Sequence, residues 1–185
     1  MPFIFEKTFF ENLIVITPKI FSDKRGFFYE SFKQSDFEKA GIKERFVQDN
    51  HSISVKGTIR GLHFQKKTFA QGKLVRCTKG SAWDVVVDLR KKSNTFGQYF
   101  SIELSDNNKQ MLYVPSGFAH GFLALSDHVE FLYKCTKEYS PETDTGIIWN
   151  DPEVGIKWPV DMKEIIISEK DASLPLLCEA INMDL

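Results

Sequence analysis

The chain has little cysteine: Cys77, Cys135 and Cys178 in 185 residues. An odd count without a Cys-x-x-Cys spacing offers neither a disulfide framework nor a zinc–cysteine cluster, and reduced thiols fit a cytoplasmic protein. It also lacks a charge excess. Lysine plus arginine number 24 against 25 aspartates and glutamates, a formal net charge of −1. Neither nucleic acid nor a membrane surface would meet a net basic field, though local basic residues could still bind a small anion. Long apolar runs are missing as well; none approaches the ~18 residues of a membrane span. The opening stretch MPFIFEKTFFENLIVITP has no basic region ahead of an apolar core, so it does not read as a signal peptide. There is no repeat of fixed period, no low-complexity tract and no Gly/Ser/Pro linker. Residues 1–185 therefore read as one domain, at a length where roughly 70% of the unfolded chain's surface can be buried.

What is present is strand signal. NLIVITP, GFFYESF, ERFVQDNHSIS, KLVRCTKGSAWDVVVDLR, GQYFSIELSD, QMLYVPSG, HGFLALSD and VEFLYKCTKEYS are short runs rich in Val, Ile, Phe and Tyr. Turn residues separate them at Lys79–Gly80, Ser105–Asn108 and Ser126–Asp127. Many short strands at fairly regular spacing argue for an all-β sandwich or barrel. Helix signal is small. SDFEKAG places Ser35 as an N-cap, Glu38 three residues on and Gly41 as a stop, a capping-box pattern for one short helix. SEKDASLPLL, near the C-terminus, suits a further turn or loop.

Two segments carry histidines behind glycines: GTIRGLHFQ (Gly57–Gln65) and PSGFAHGF (Pro115–Phe122). They resemble in part the two metal-binding motifs of the cupin barrels. Gly57 and His63 match the first motif, and Pro115, Gly117 and His120 the second. Gln65 stands where a second histidine ligand belongs, and KKTFAQGK supplies no glutamate. A neutral amide and a lysine are poor replacements for imidazole and carboxylate, so no metal is expected.

Alternation along strands suggests another use. His63 and Gln65 share a face, as do Lys73, Val75 and Cys77, and Phe131, Tyr133 and Cys135. If these faces point inward, His63, Lys73 and Tyr133 meet in an apolar cavity. Arg60 points away from His63 on a straight strand, but Gly61 between them permits a bulge that turns both to one side. An imidazole can take a proton at neutral pH, a phenol can give one, and an enclosed ammonium stabilises an oxyanion. Those parts suffice to remove a proton beside a carbonyl and return one to the opposite face. Each residue also has an ordinary structural reading: a hydrogen-bonded histidine, a core tyrosine, a solvated lysine. Composition and periodicity alone stop at a β-barrel with a polar cavity. Asp84, in AWDVVV, lies on the opposite strand face from Trp83, Val85 and Val87 and needs a partner there; His120 is the expected one, with a surface position as the alternative.

The ordered series SDKRGFFYESF, FVQDNHSIS, IRGLHFQ, QGKLVRC, GSAWDVVVDLR, VPSGFAHGF, YKCTKEYSPETDTGIIWNDP, GIKWP and ISEKDA resembles the dTDP-4-dehydrorhamnose 3,5-epimerase family, from about Asn12 to Asp171. The resemblance implies a cupin-type jelly-roll β-barrel with a few short helices, used as a homodimer with shared active-site residues. It implies a dTDP-sugar substrate, dTDP-4-dehydro-6-deoxy-D-glucose, converted to dTDP-4-dehydro-L-rhamnose without a cofactor. It assigns His63 as general base, Asp171 as the carboxylate orienting it, Tyr133 as proton donor and Lys73 as the cation near the 4-oxygen. Arg60 and Arg25 match residues gripping the diphosphate, and His120 matches a further substrate contact. Glu30, Gln48, Asp49 and Asn50 match the nucleotide-reading part. Tyr139 matches the aromatic that stacks on thymine, and Lys170 in SEKDA a further substrate-binding residue. Phe28, in RGFF, matches a segment reaching across from the partner subunit. Asp144 stands where the family often has glutamate and is taken as a substrate contact. His51 and His128 match no catalytic position and read as a near-site and a loop residue. The alternative is a 3-epimerase, or a 3,5-epimerase of another 4-keto-6-deoxy sugar nucleotide.

Overall fold

Strand positions follow the alternation of apolar residues. The computed structural model describes residues 2–180. In chain order the strands are β1 (Phe3–Lys7), β2 (Ile14–Pro18), β3 (Phe21–Asp23), β4 (Gly26–Phe28), β5 (Gln48–Ser54), β6 (Ile59–Gln65), β7 (Lys73–Lys79), β8 (Ser81–Asp88), β9 (Tyr99–Ser105), β10 (Met111–Val114), β11 (Phe118–Ala124), β12 (Val129–Cys135) and β13 (Asp144–Gly146). Short helices α1 (Gln34–Lys39), α2 (Glu169–Ala172) and α3 (Leu177–Ala180) punctuate them. One antiparallel sheet runs β1-β2-β10-β7-β12-β5, and a second runs β13-β6-β11-β8-β9. β3 and β4 form a separate hairpin. This is a jelly roll of the cupin type, all-β as the strand signals indicate. β1, β3 and β13 had no counterpart among the expected strands. GFFYESF shrinks to the three residues of β4, and SEKDASLPLL holds α2.

The inner faces of the two sheets pack on each other. Val75, Cys77, Leu112 and Phe131 of the first meet Ala82, Val86, Leu104 and Phe122 of the second, with Phe10 and Leu13 joining them. The five-stranded sheet is covered on its other face too, where Val85 and Val87 pack with Leu62, Ile147 and Leu177. That double burial explains the unbroken VVV of β8. Along β7 the inward residues run Cys77, Val75, then Lys73, and along β12 Phe131, then Tyr133. At those last positions the core gives way to a polar cavity.

The expected capping box does not form. α1 starts from Lys33, with no side-chain cap hydrogen bond, and Ser35 lies inside the helix. Tertiary packing sets the start: Phe37 is fully buried against Phe3 and Ile16, and buried Asp36 sits between Lys33 and Lys39 at 3.7 and 3.8 Å. The stop is as expected. Gly41 has φ 97°, and the Gly41 and Ile42 amides donate to Glu38 and Phe37 carbonyls, the paired pattern that ends a helix on a left-handed residue.

Candidate active site

Strands β6 and β11 of one sheet and β5, β7 and β12 of the other supply the cavity walls. His63 on β6 lies directly opposite His120 on β11, while Arg60 pairs with Phe122. Gly61 and Leu62 on β6 thus lie opposite the single Gly121 on β11, and the extra residue turns Arg60 to the same side as His63. Glycine makes this possible. Gly61 has φ 121°, and a Cβ there would fall 2.7 Å from Gly121 Cα; a Cβ on Gly121 would fall 2.4 Å from the Arg60 carbonyl oxygen. Arg60 then donates to Ser54 Oγ and the Ile53 carbonyl, both at 3.0 Å.

Behind each histidine stands a carboxylate. His63 Nε2 is 2.7 Å from Asp171 Oδ1, and Asp171 Oδ2 accepts the Gly61 amide at 3.1 Å. Ser168 caps α2 by accepting the Asp171 amide, which fixes the carboxylate's position on β6. Burial alone would raise the Asp171 carboxyl, but hydrogen bonds from His63, Gly61 and Ser168 and the imidazole charge hold it below its ordinary value. His120 Nε2 is 2.9 Å from Asp84 Oδ2, the partner expected for that buried carboxylate. Desolvation pushes the Asp84 carboxyl up, against the pull of His120 and Lys73.

Lys73 comes from β7 and Tyr133 from β12, on the facing sheet. Desolvation lowers the Lys73 ammonium, opposed by Cys135, Asp144 and Asp84. Burial raises the Tyr133 phenol, with Cys135 and Asp144 adding to it and Arg60 opposing, so the hydroxyl keeps its proton at neutral pH. Arg60, His63, Lys73, His120, Tyr133 and Asp171 line one chamber of about 220 Å³, floored by Phe122 and Phe131, whose rings stack at 4.2 Å. An adjoining chamber of about 300 Å³ shares His63, Lys73 and Tyr133 and adds Gln48, Asn50, Tyr139, Asp144 and Lys170. There Gln48 donates to Asn50 and accepts the Tyr139 amide, and Asp144 accepts from the Tyr139 hydroxyl and Lys170.

Gln65, where a metal-binding barrel carries its second histidine, is a structural cross-link. Its amide nitrogen donates to the Phe69 and Glu138 carbonyls and its oxygen accepts the Ser140 amide at 2.6 Å. Among the described residues no three His, Cys, Asp or Glu side chains converge as a metal site requires.

Four of the expected site residues do not reach the cavity within this chain. Asp49 is one residue out of phase with Gln48 and Asn50, so it projects from the outer face of β5 and pairs with Lys134 at 2.8 Å. Arg25 and Phe28 sit on the β3–β4 hairpin, where Arg25 forks onto Asp23 and Phe28 is 65% exposed. Glu30 follows that hairpin, with one carboxylate oxygen buried and unpartnered. His51 also projects outward and meets Glu130 at 3.5 Å, as does His128 at 3.1 Å. Sequence reasoning missed Ser168, whose cap places Asp171, and Ser52 and Phe122 in the lining, while Phe131 lies on the inward face it was expected to share with Tyr133. The inward phase of β5 and β11 was the available signal for Ser52 and Phe122.

With a carboxylate-backed imidazole on one wall, a protonated phenol on the facing wall and an enclosed ammonium, the chamber can enolise a ketone and reprotonate it from the other side.

A family model described as dTDP-4-dehydrorhamnose 3,5-epimerase matches residues 7–179. A Salmonella typhimurium protein named dTDP-4-dehydrorhamnose 3,5-epimerase is 52% identical over 176 residues, covering 95% of this chain and 96% of the relative. The crystal structure of dTDP-4-dehydrorhamnose 3,5-epimerase from Elizabethkingia anophelis superposes with a TM-score of 0.93 at 43% identity, covering 97% and 98% of the two chains. A Legionella pneumophila dTDP-6-deoxy-D-glucose-3,5-epimerase, solved in complex with dTDP-4-keto-L-rhamnose, superposes at 0.92 with 46% identity, covering 95% and 93%.

Proposed function

The chain belongs to the dTDP-4-dehydrorhamnose 3,5-epimerase family, and we propose that His63, Asp171, Tyr133 and Lys73 carry that family's reaction in the barrel cavity. The reaction epimerises C3 and C5 of dTDP-4-dehydro-6-deoxy-D-glucose to dTDP-4-dehydro-L-rhamnose, a step of dTDP-L-rhamnose synthesis. The observation that carries the residue assignment is the pairing of His63 with Asp171 on one wall and the Tyr133 phenol on the other.

Both reacting carbons flank the 4-keto group, so one carbonyl acidifies both protons. Asp171 holds His63 through Nε2, which leaves Nδ1 to take the carbon-bound proton. The C–H electron pair moves into a C=C–O⁻ enolate, and Lys73 stabilises the charge on the 4-oxygen. Tyr133 delivers its hydroxyl proton to the opposite face of the carbon, the carbonyl re-forms and the centre is inverted. Asp171 stabilises the imidazolium between these steps, as the carboxylate of a catalytic triad does. The second chamber takes the nucleotide: Tyr139 stacks on thymine, Gln48 and Asn50 read its edge, and Lys170 faces the diphosphate, with Arg60 reaching it from the first chamber.

The protein works as a homodimer in which the β3–β4 hairpin carries Arg25 and Phe28 to the partner's nucleotide chamber. Phe21, Phe27 and Phe28 on this hairpin are exposed, and Arg25 is 84% exposed, which supports a surface covered in an assembly. β5 is an edge strand beside that chamber, with exposed Val47, Ile53 and Val55. One domain spanning residues 1–185 and a cytoplasmic location complete the reading; a sugar nucleotide and reduced thiols both suit that compartment.

Proton NMR of EDTA-treated protein with dTDP-4-dehydro-6-deoxy-D-glucose in heavy water tests the chemistry. Loss of both the C3 and C5 proton signals is expected. Loss of the C3 signal alone means a single epimerase, and retention of both overturns the enolate reading. His63→Asn should fold normally and lose roughly 10²–10⁴-fold in rate; a variant with most of its activity would show that another group is the base.

A further inference from the structure

The cavity wall holds a second histidine–carboxylate pair, His120 with Asp84; the resemblance makes His120 a substrate contact, but nothing above gives Asp84, or the pair as a unit, a task. Asp84 lies fully buried on the inward face of β8, between Ala82 and Val86, with Phe122 opposite it on β11. One of its oxygens accepts from His120; the other, Oδ1, has no hydrogen-bond partner. A buried carboxylate with an orphan oxygen costs more than an apolar residue of similar volume, so packing does not account for it. The pair is not sealed from the reaction. His120 lines the same chamber as His63, Lys73 and Tyr133. Its ring lies 6.3 Å from that of Phe131, at 26°. The Lys73 ammonium and the Asp84 carboxylate favour each other's charged forms.

We propose that Asp84 is a positioning residue: it accepts the Nε2 proton of His120 and turns Nδ1 to the sugar, so that the ring, with a proton on each nitrogen, joins Lys73 as a donor to the 4-oxygen. This rests on the enolate reading above. A carbonyl oxygen has two lone pairs and can accept two donors, and paired donors on a developing oxyanion act without reorganisation. The division of labour follows from the two acids. Asp171 serves the base from α2, and Asp84 serves the electrophile from β8.

The test combines Asp84→Asn, His120→Asn and the double variant, assayed for kcat, KM and sugar-proton exchange. Each single change should lower kcat on the order of 10²-fold, the effect of losing one oxyanion donor, with KM within about threefold of wild type. The double variant should be little worse than the poorer single one, because the pair acts as a unit. An Asp84→Asn enzyme with kcat within about threefold of wild type, or losses that multiply in the double variant, overturns the role. If wild type itself leaves both sugar protons unexchanged, the enolate reading falls and takes this one with it. Normal exchange in both wild type and Asp84→Asn removes only the role of Asp84. Long-range nitrogen-15 NMR of wild-type protein with dTDP bound gives an answer that needs no folded variant. A proton on His120 Nε2 is expected; an unprotonated Nε2 would mean that Asp84 is a neutral acid, and would overturn the proposal.

Discussion

His63 and His120 are cross-strand partners on β6 and β11, and each is backed through Nε2 by its own carboxylate, Asp171 at 2.7 Å and Asp84 at 2.9 Å. The acids reach this wall by different routes. Asp84 is part of the barrel, two strands from His63, whereas Asp171 arrives from the C-terminal segment. That segment is tied to β6 by the Gly61 amide and by hydrogen bonds between Gly57, Ile59 and Ile166. The base on β6 is therefore completed by a carboxylate from far along the chain, held against a wall that the barrel supplies.

Removing the phenol separates the two proton transfers. Tyr133→Phe should still wash deuterium into the sugar, because His63 and Asp171 are untouched, while product formation falls roughly 10²-fold or more. Exchange and product followed together by NMR give the ratio. A variant that loses both equally would place the phenol in proton removal.

Shared sites predict complementation. Arg25→Ala and His63→Asn homodimers should each be nearly inactive. After unfolding and refolding of an equal mixture, half the dimers are mixed, and each has one intact site. Activity near one quarter of wild type is expected from this symmetric assembly. Activity no higher than the mean of the two variants would assign Arg25 to its own chain.

The glycine pair at the bulge is predicted to be intolerant. In Gly121→Ala the new Cβ would meet the Arg60 carbonyl at 2.4 Å, a backbone atom that cannot swing aside. Overpacking of this kind costs roughly 1–3 kcal/mol. Urea denaturation should show that loss, and kcat should fall as well, because the same bulge aims Arg60. Unchanged stability would mean that β6 and β11 separate easily at this point.

Asp88 makes an acid-sensitive clamp. Fully buried, it accepts from Arg90, Ser93 and Thr95 and ties down the loop after β8. Desolvation would raise its carboxyl, but the hydrogen bonds from Arg90, Thr95 and Ser93 outweigh it and bring it to about 2. A folded-state value below the unfolded ~3.9 means stability present above pH ~4 and lost as pH falls toward 2, on the order of 2 kcal/mol. Asp88→Asn should lower the urea midpoint at pH 7 and flatten the acid limb between about pH 4 and 2. An unchanged acid limb would assign it to other carboxylates.

The inward phase of Lys73, Tyr133 and His63 was legible because a period of two admits only two faces, and a polar residue in an apolar row stands out. Asp49 shows the limit of motif matching: QDN reads as one block, yet a strand sends its middle member to the other face. The capping box at Ser35 failed for a related reason. Its local hydrogen bond is worth about 1 kcal/mol, less than burying Phe37, so tertiary packing chose the helix start. Arg25, Phe28 and Glu30 were matched by resemblance, and no pattern of spacing in one chain shows whether such a hairpin serves its own cavity or a neighbour's.

By itself the sequence determined the strand-rich class, the polar row inside the barrel and the residue types for proton transfer, because these follow from alternation and composition. Only the tertiary structure decided that Gly61 and Gly121 bulge the strand to bring Arg60 beside His63. The contact of Asp171 with His63 across 108 residues was named beforehand by resemblance but is made by the tertiary structure, which also made Gln65 a loop cross-link. Those outcomes depend on contacts between segments far apart in the chain, which local periodicity does not encode.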